Sequence, residues 1–144
     1  MNNKLVYITK DEAERIKNHA LNNEGVFFAE IEGAKIRTEA DYVQEMSNAF
    51  AFPHELPAMK IGWYNDYISD LMWIEQKDIV LLIHNYDLML CGEQKLKKNI
   101  LDDFEEIILP WWEGEVVGHM VGGMPRGFMV YLENIGVVEN SGIN

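Results

Sequence analysis

The chain has 144 residues, 48% of them hydrophobic and 11% aromatic, which fits one domain with a real core and excludes a disordered acidic tail. Twelve Lys and Arg stand against 24 Asp and Glu, a formal net charge of −12, so nucleic acid and anionic membrane are poor direct partners and a basic protein is a better one. Cys91 is the single cysteine, which excludes an internal disulfide and a cysteine-rich zinc site, and no run reaches the ~18 apolar residues of a membrane span.

In chain order, KLVYI at 4–8 has the composition of a short strand, and Thr9 followed by Asp11 and Glu12 opens a helix running to Asn22 with a cap and an acidic first turn. The N-terminal stretch becomes charged by position 10 and lacks the form of a signal peptide, so a cytoplasmic protein is expected. VFFAEIEG, 26–33, is β-branched and aromatic and ends at glycine, as a strand does. Thr38 and Asp41 form a capping box ahead of an apolar period through Tyr42, Val43, Met46, Ala49 and Phe50, and this second helix must stop before Pro53 and Pro57.

GWYNDYISDLMW, 62–73, is helical by period. IVLLIHN, 79–85, is apolar on both parities, as in a strand covered on both faces. A helix over 93–109 carries lysines early and Asp102, Asp103, Glu105 and Glu106 late, an order opposed by the helix dipole. Pro110 is expected to end it. The glycine-rich stretch 113–127 reads as a connection with room for a hairpin, and FMVYLEN, 128–134, as the last strand. This order predicts a small α/β domain with a mainly parallel sheet.

Motifs for metal, cofactor or nucleophilic chemistry do not occur. His19, His54, His84 and His119 are far apart with no ligand spacing, Cys91 has no basic neighbour, and the glycines at 118, 122 and 123 match no phosphate-binding loop. No metal and no cofactor are expected, and His84 reads as a satisfied core histidine. An enzyme would need a pocket lined by His84 and carboxylates.

The segment 62–73 remains. At 100° per residue Asp66 and Asp70 lie about 40° apart, with Trp63 and Trp73 about 60° and 20° from Asp66. One stripe therefore reads Trp-Asp-Asp-Trp, while Tyr64, Tyr67, Ile68, Leu71 and Ile74 face the core. Carboxylates between indoles have the chemistry of an interface hot spot, because Trp supplies desolvated area and Asp accepts charge-assisted bonds from Arg or Lys. The competing reading is a solvated helix face whose tryptophans cover a neighbouring loop.

From Val26 to Asn134 the sequence resembles the barstar family, intracellular inhibitors of secreted ribonucleases. The landmarks are VFFAEIEG-AKI, the capped TEADYVQEMSNAF, the following Phe-Pro, Gly62 with Asp66 and Asp70 in a G-x-x-x-D-x-x-x-D spacing, the strand IVLLIHNYD and the late helix ILDDFEEI. The sequence departs from the family pattern at Lys60-Ile61, at Tyr64, in a longer proline loop and in an insertion over 110–127.

The resemblance implies a three-stranded, mainly parallel sheet packed with helices, with residues 1–25 as an extension packed on a domain of 26–134 and a tail from 135 to 144. It implies an immunity-type inhibitor, not an enzyme, whose partner is a cationic toxin, a ribonuclease. Asp66, Asp70 and Glu106 would face the enzyme's cationic pocket and Gly62 would enter its groove. With the neighbouring side chains, the partner-binding set becomes Lys60, Gly62, Trp63, Asp66, Ser69, Asp70, Trp73 and Glu106. The alternative is the same scaffold neutralising a basic toxin that is not a ribonuclease.

Overall fold

Four parallel strands form the sheet, and the run of short apolar segments alternating with helices explains why they are parallel. A computed structural model describes residues 2–53 and 61–134, the side chains of 61–63 excepted. Strand β1 spans Lys4–Ile8, β2 Val26–Glu32, β3 Asp78–His84 and β4 Gly127–Glu133. Their spatial order is β1-β4-β3-β2. The sheet thus has four strands rather than three. KLVYI does not sit on the domain as an accessory; it pairs along β4 from Lys4 opposite Met129 to Ile8 opposite Glu133. An unpaired β4 edge would leave a row of open backbone groups, and β1 closes it.

Helices cover both faces. Helix α1, Lys10–Leu21, begins at Thr9 with the capping box formed by Thr9 and Glu12, and packs on one face through Ala13 and Ile16 against Leu82, Phe28 and Tyr131. The opposite face carries the large core. There α2, Glu39–Ala49, opens with the expected Thr38 and Asp41 box and buries Tyr42, Val43 and Met46. Strand β3 is central, and its apolar residues on both parities are explained by the two covered faces: Ile79, Leu81 and Ile83 join the large core, Leu82 the small one.

Two helices differ from the expectation. Helix α3 spans Ile61–Ile68 and does not reach Trp73. Leu71 follows in the left-handed region, at φ 48°, which turns the chain away from the helix axis. The late helix, conversely, does not stop at Pro110. Helix α4, Gln94–Asp103, runs on through a π-turn over Phe104–Ile108 and a second over Trp111–Glu115 into α5, Val116–His119. The Leu109 N–H donates to the Phe104 carbonyl and the Val116 N–H to that of Trp111, five residues back in each case. A widened turn just before Pro110 moves the carbonyl that the proline ring would otherwise strike. The stretch 113–127 therefore contains no hairpin; it is helix to His119, then a single crossing to β4.

Candidate functional site

The end of α3 packs against this long helix, which supplies the groups that its last carbonyls need. Trp112 Nε1 donates to the Ile68 carbonyl at 3.0 Å and Trp111 Nε1 to that of Ser69 at 2.9 Å. Arg126 completes the clamp: its guanidinium donates to the carbonyls of Leu71, Ile74 and Gln76, each at 2.9 Å, and lies over the Trp112 ring. Residues 110–127, which looked in sequence like an insertion, thus hold the segment that follows α3.

On its inner side α3 buries Tyr64 and Ile68, while Tyr67, expected to face the core with them, is half-buried; Leu71 and Ile74, beyond the helix end, are buried by the turn that follows. Tyr64 shares a 2.7 Å hydroxyl hydrogen bond with Tyr42 of α2. Burial pushes both phenols up, and the nearby Asp103 carboxylate adds to the effect.

The outer side departs from the Trp-Asp-Asp-Trp stripe. Asp66 is exposed on α3 as expected. Asp70 lies beyond the helix, half-buried, and its Oδ1 is buried without a hydrogen-bond partner among the described residues. It borders a cavity of about 250 Å³ with Arg126, Met72, Met120 and Met124, and its charge acts on Arg126. Burial lowers the Arg126 pKa, and Asp70 opposes that shift. The chain's own cation is therefore near one of the two aspartates.

Trp73 is half-buried and donates Nε1–H to the Phe50 carbonyl at 2.8 Å, edge-on to Phe52 and Tyr67. It covers a neighbouring turn, as the competing reading held. The reason is the early end of α3: counting by 100° loses its meaning once the chain leaves the helix. Lys60 and His54 lie outside the described residues; Gly62 and Trp63 are within α3, but their side chains lie outside them.

Asn65, the residue before Asp66, borders a groove formed with the long helix. Asn65, Ile68 and Ser69 line one wall and Asp103, Ile107 and Ile108 the other, around about 150 Å³. Burial first, then the charge of Asp102, raises the Asp103 carboxyl. Asp102 itself pairs with Lys98 at 2.8 Å. Glu105 and Glu106 are exposed one turn further on, beside Ile107, which is 58% exposed. Asp103 was noted in sequence only for its place against the helix dipole; its role as a groove wall depends on α3, which packs beside it.

His84 sits elsewhere, at the carboxyl end of β3. Its Nε2 meets Glu30 and its Nδ1 meets Glu133, each at 2.8 Å, and Lys17 of α1 reaches Glu30 at 3.0 Å. Burial acts to lower the His84 pKa, but the two carboxylates outweigh it and the net shift is upward. Both ring nitrogens are thereby committed to the chain's own side chains. No cluster of His, Cys, Asp or Glu among the described residues is arranged to hold a metal ion, and no described helix is long and apolar enough to cross a membrane.

These features define the class: an α/β protein with a four-stranded parallel sheet and, between two of its helices, a groove with one carboxylate, Asp103, on its wall. No family model matches the chain, and no curated protein matches it. Among solved structures, one titled as Drosophila ORC bound to DNA is similar over 92% of this chain at 16% identity, with a TM-score of 0.50. This chain spans 33% of that one. At that identity the likeness concerns the fold alone.

Proposed function

We propose that the protein is a barstar-like inhibitor that binds a cationic toxin, a ribonuclease, and closes its active site with carboxylates. The observation that carries this reading is the acidic border of the α3 groove. Asp66 is exposed on one helix and Glu106 on the other, Asp103 lines the groove between the helices, and no cation is among the described residues that line it. An enzyme that cleaves RNA gathers Arg, Lys and His around a phosphate, and carboxylates set where phosphates would lie compete for those groups. The net charge of −12 supports rapid encounter with such a partner. The resemblance over Val26–Asn134 supports the same reading, with Gly62, Asp66, Asp70 and Glu106 as the carried-over contacts.

The test is direct: titrate the purified chain into a basic secreted ribonuclease from the organism that makes it and follow RNA cleavage. Near-stoichiometric loss of cleavage is expected, and undiminished cleavage at saturation refutes the assignment.

A second reading keeps the scaffold and changes the target to a basic toxin that is not a ribonuclease. The placement of Asp70 beside Arg126 favours it, since one of the two phosphate-mimicking carboxylates already has a cation nearby. Inhibition of a partner DNase, with ribonuclease activity untouched, would select this alternative.

A further inference from the structure

We infer that the groove between α3 and the long helix is an arginine subsite, in which Asp103 receives the guanidinium of a partner side chain while Ile68, Ile107 and Ile108 cover its aliphatic stem. The inference rests on the reading that the partner is a cationic protein, and it adds which group of that partner is taken and where.

Charge complementarity selects the occupant. Asp103, Asn65, Ser69 and three isoleucines line the groove, with no cation among its described lining residues. Exposed Asp66 directly follows Asn65, and exposed Glu106 lies three residues beyond Asp103. A guanidinium on a three-carbon stem matches this mixture: it offers five donors in a planar fork to the carboxylate, amide oxygen and hydroxyl, and its methylenes pack on apolar walls. A lysine ammonium is a compact, strongly hydrated point charge that would use fewer of these acceptors.

The contrast with Asp70 points the same way. Asp70 lies in the field of Arg126, whereas the charge near Asp103 is that of another carboxylate, Asp102, and burial and this neighbour together raise the Asp103 carboxyl. A bound guanidinium would oppose both effects. Asp103 was not among the residues that the resemblance put forward, so the inference moves the centre of the interface from the Asp66 and Asp70 pair to Asp66 and Asp103.

Nuclear magnetic resonance titration of the full chain with N-acetyl-arginine methylamide tests it, with the uncharged citrulline analogue as control. Saturable backbone shifts are expected at Asn65, Ser69, Asp103 and Ile107. The citrulline probe and the D103N chain should each bind at least about fivefold more weakly, since a charge-assisted bond is lost in both. The Asp103 side-chain carboxyl, titrated by carbon detection, should also fall in pKa when the arginine probe saturates; this readout needs no variant.

Equal binding of the two probes, unchanged binding by D103N or an unmoved Asp103 titration would each overturn the subsite. The cleavage assay fails separately. Inhibition of the ribonuclease without arginine-probe binding overturns the groove alone, and probe binding without inhibition leaves the groove standing and removes the ribonuclease.

Discussion

Two aspartates four residues apart have different surroundings, and this difference decides what each can do. Asp66 is exposed, so its carboxylate is free to become desolvated only in a complex. On the proposed function, replacing it by Ala should weaken binding to the proposed ribonuclease partner by more than ~2 kcal/mol, the scale of an interface hot spot, and leave unfolding by urea unchanged. A shifted unfolding midpoint, or unaltered affinity by calorimetry, would count against that role.

Arg126 is the opposite case. Its guanidinium satisfies three carbonyls that follow α3, so Arg126→Ala strands acceptors that the fold has partly removed from water. A loss of about 2 kcal/mol or more is expected, read as a lower urea midpoint at constant slope. Arg126→Lys should recover only part of it, because a single ammonium does not reproduce the fork.

The His84 clasp carries a pH dependence whose sign follows from its neighbours. The groups facing it are Glu30 on β2, Glu133 on β4 and, through Glu30, Lys17 on α1. Its pKa in the folded chain is raised above the ordinary 6.5, so the stabilisation is fully present below 6.5 and is lost as pH rises through the folded value. Burial would raise the Glu30 pKa, but the bonds from His84 and Lys17 lower it below the ordinary 4.5. That contribution is present above 4.5 and disappears as pH falls through the folded value. Unfolding followed against pH should show a decline on the alkaline side that His84→Gln abolishes. A decline of the same size in the variant would assign it to other groups.

At the scale of elements, close backbone approaches and the long helix dominate. Gly33 directly follows β2, and a methyl group there would meet the Asn85 carbonyl oxygen at 2.5 Å and that of His84 at 2.7 Å. Both obstacles are backbone and cannot rotate aside. Gly33→Ala should therefore cost about 1–3 kcal/mol, the range for forced overpacking, measurable by thermal or urea unfolding. Gly92 has nothing within contact range of an added methyl and serves as the control.

The long helix acts as a bracket: it buries Phe104, Ile108, Trp112 and Val116, caps the end of α3 through two indoles and forms one wall of the groove. Its continuity across Pro110 positions these functions in one body. Had the chain broken at the proline, Trp111 and Trp112 would not reach the carbonyls of Ser69 and Ile68.

At the scale of the whole molecule, the fourth strand and the charge matter most. Asn3, just before β1, donates to the carbonyls of Leu109 and Arg126 and accepts from the Phe128 N–H. The first strand thus ties the sheet to the bracket helix. Deleting residues 2–8 should expose the β4 edge and yield an aggregation-prone chain, visible by light scattering; a monomeric, equally stable product would contradict this. The charge of −12 has a kinetic consequence. On the proposed function, the association rate with a basic ribonuclease should fall steeply with added salt, whereas dissociation should change less.

Local signals were legible wherever a residue's effect is confined to its own turn. The Thr9 and Thr38 caps, the doubly apolar β3, the strand at Val26–Glu32 and the inward Tyr64 and Ile68 could all be read from neighbours a few positions away, whereas Tyr67, expected with them, is half-buried. The order of apolar strands and capped helices already carried the α/β class, and composition the net negative charge.

What required the tertiary structure were the contacts made over long separations. A π-turn allowed Pro110 to stay within a helix, a strand at the far terminus enlarged the sheet, and Arg126, 56 residues after Asp70, altered that carboxylate's surroundings. Side-chain period tells which way a residue points while its helix lasts. Where the helix stops, and which distant cation, indole or carboxylate waits there, depends on packing between segments that one-dimensional order does not bring together.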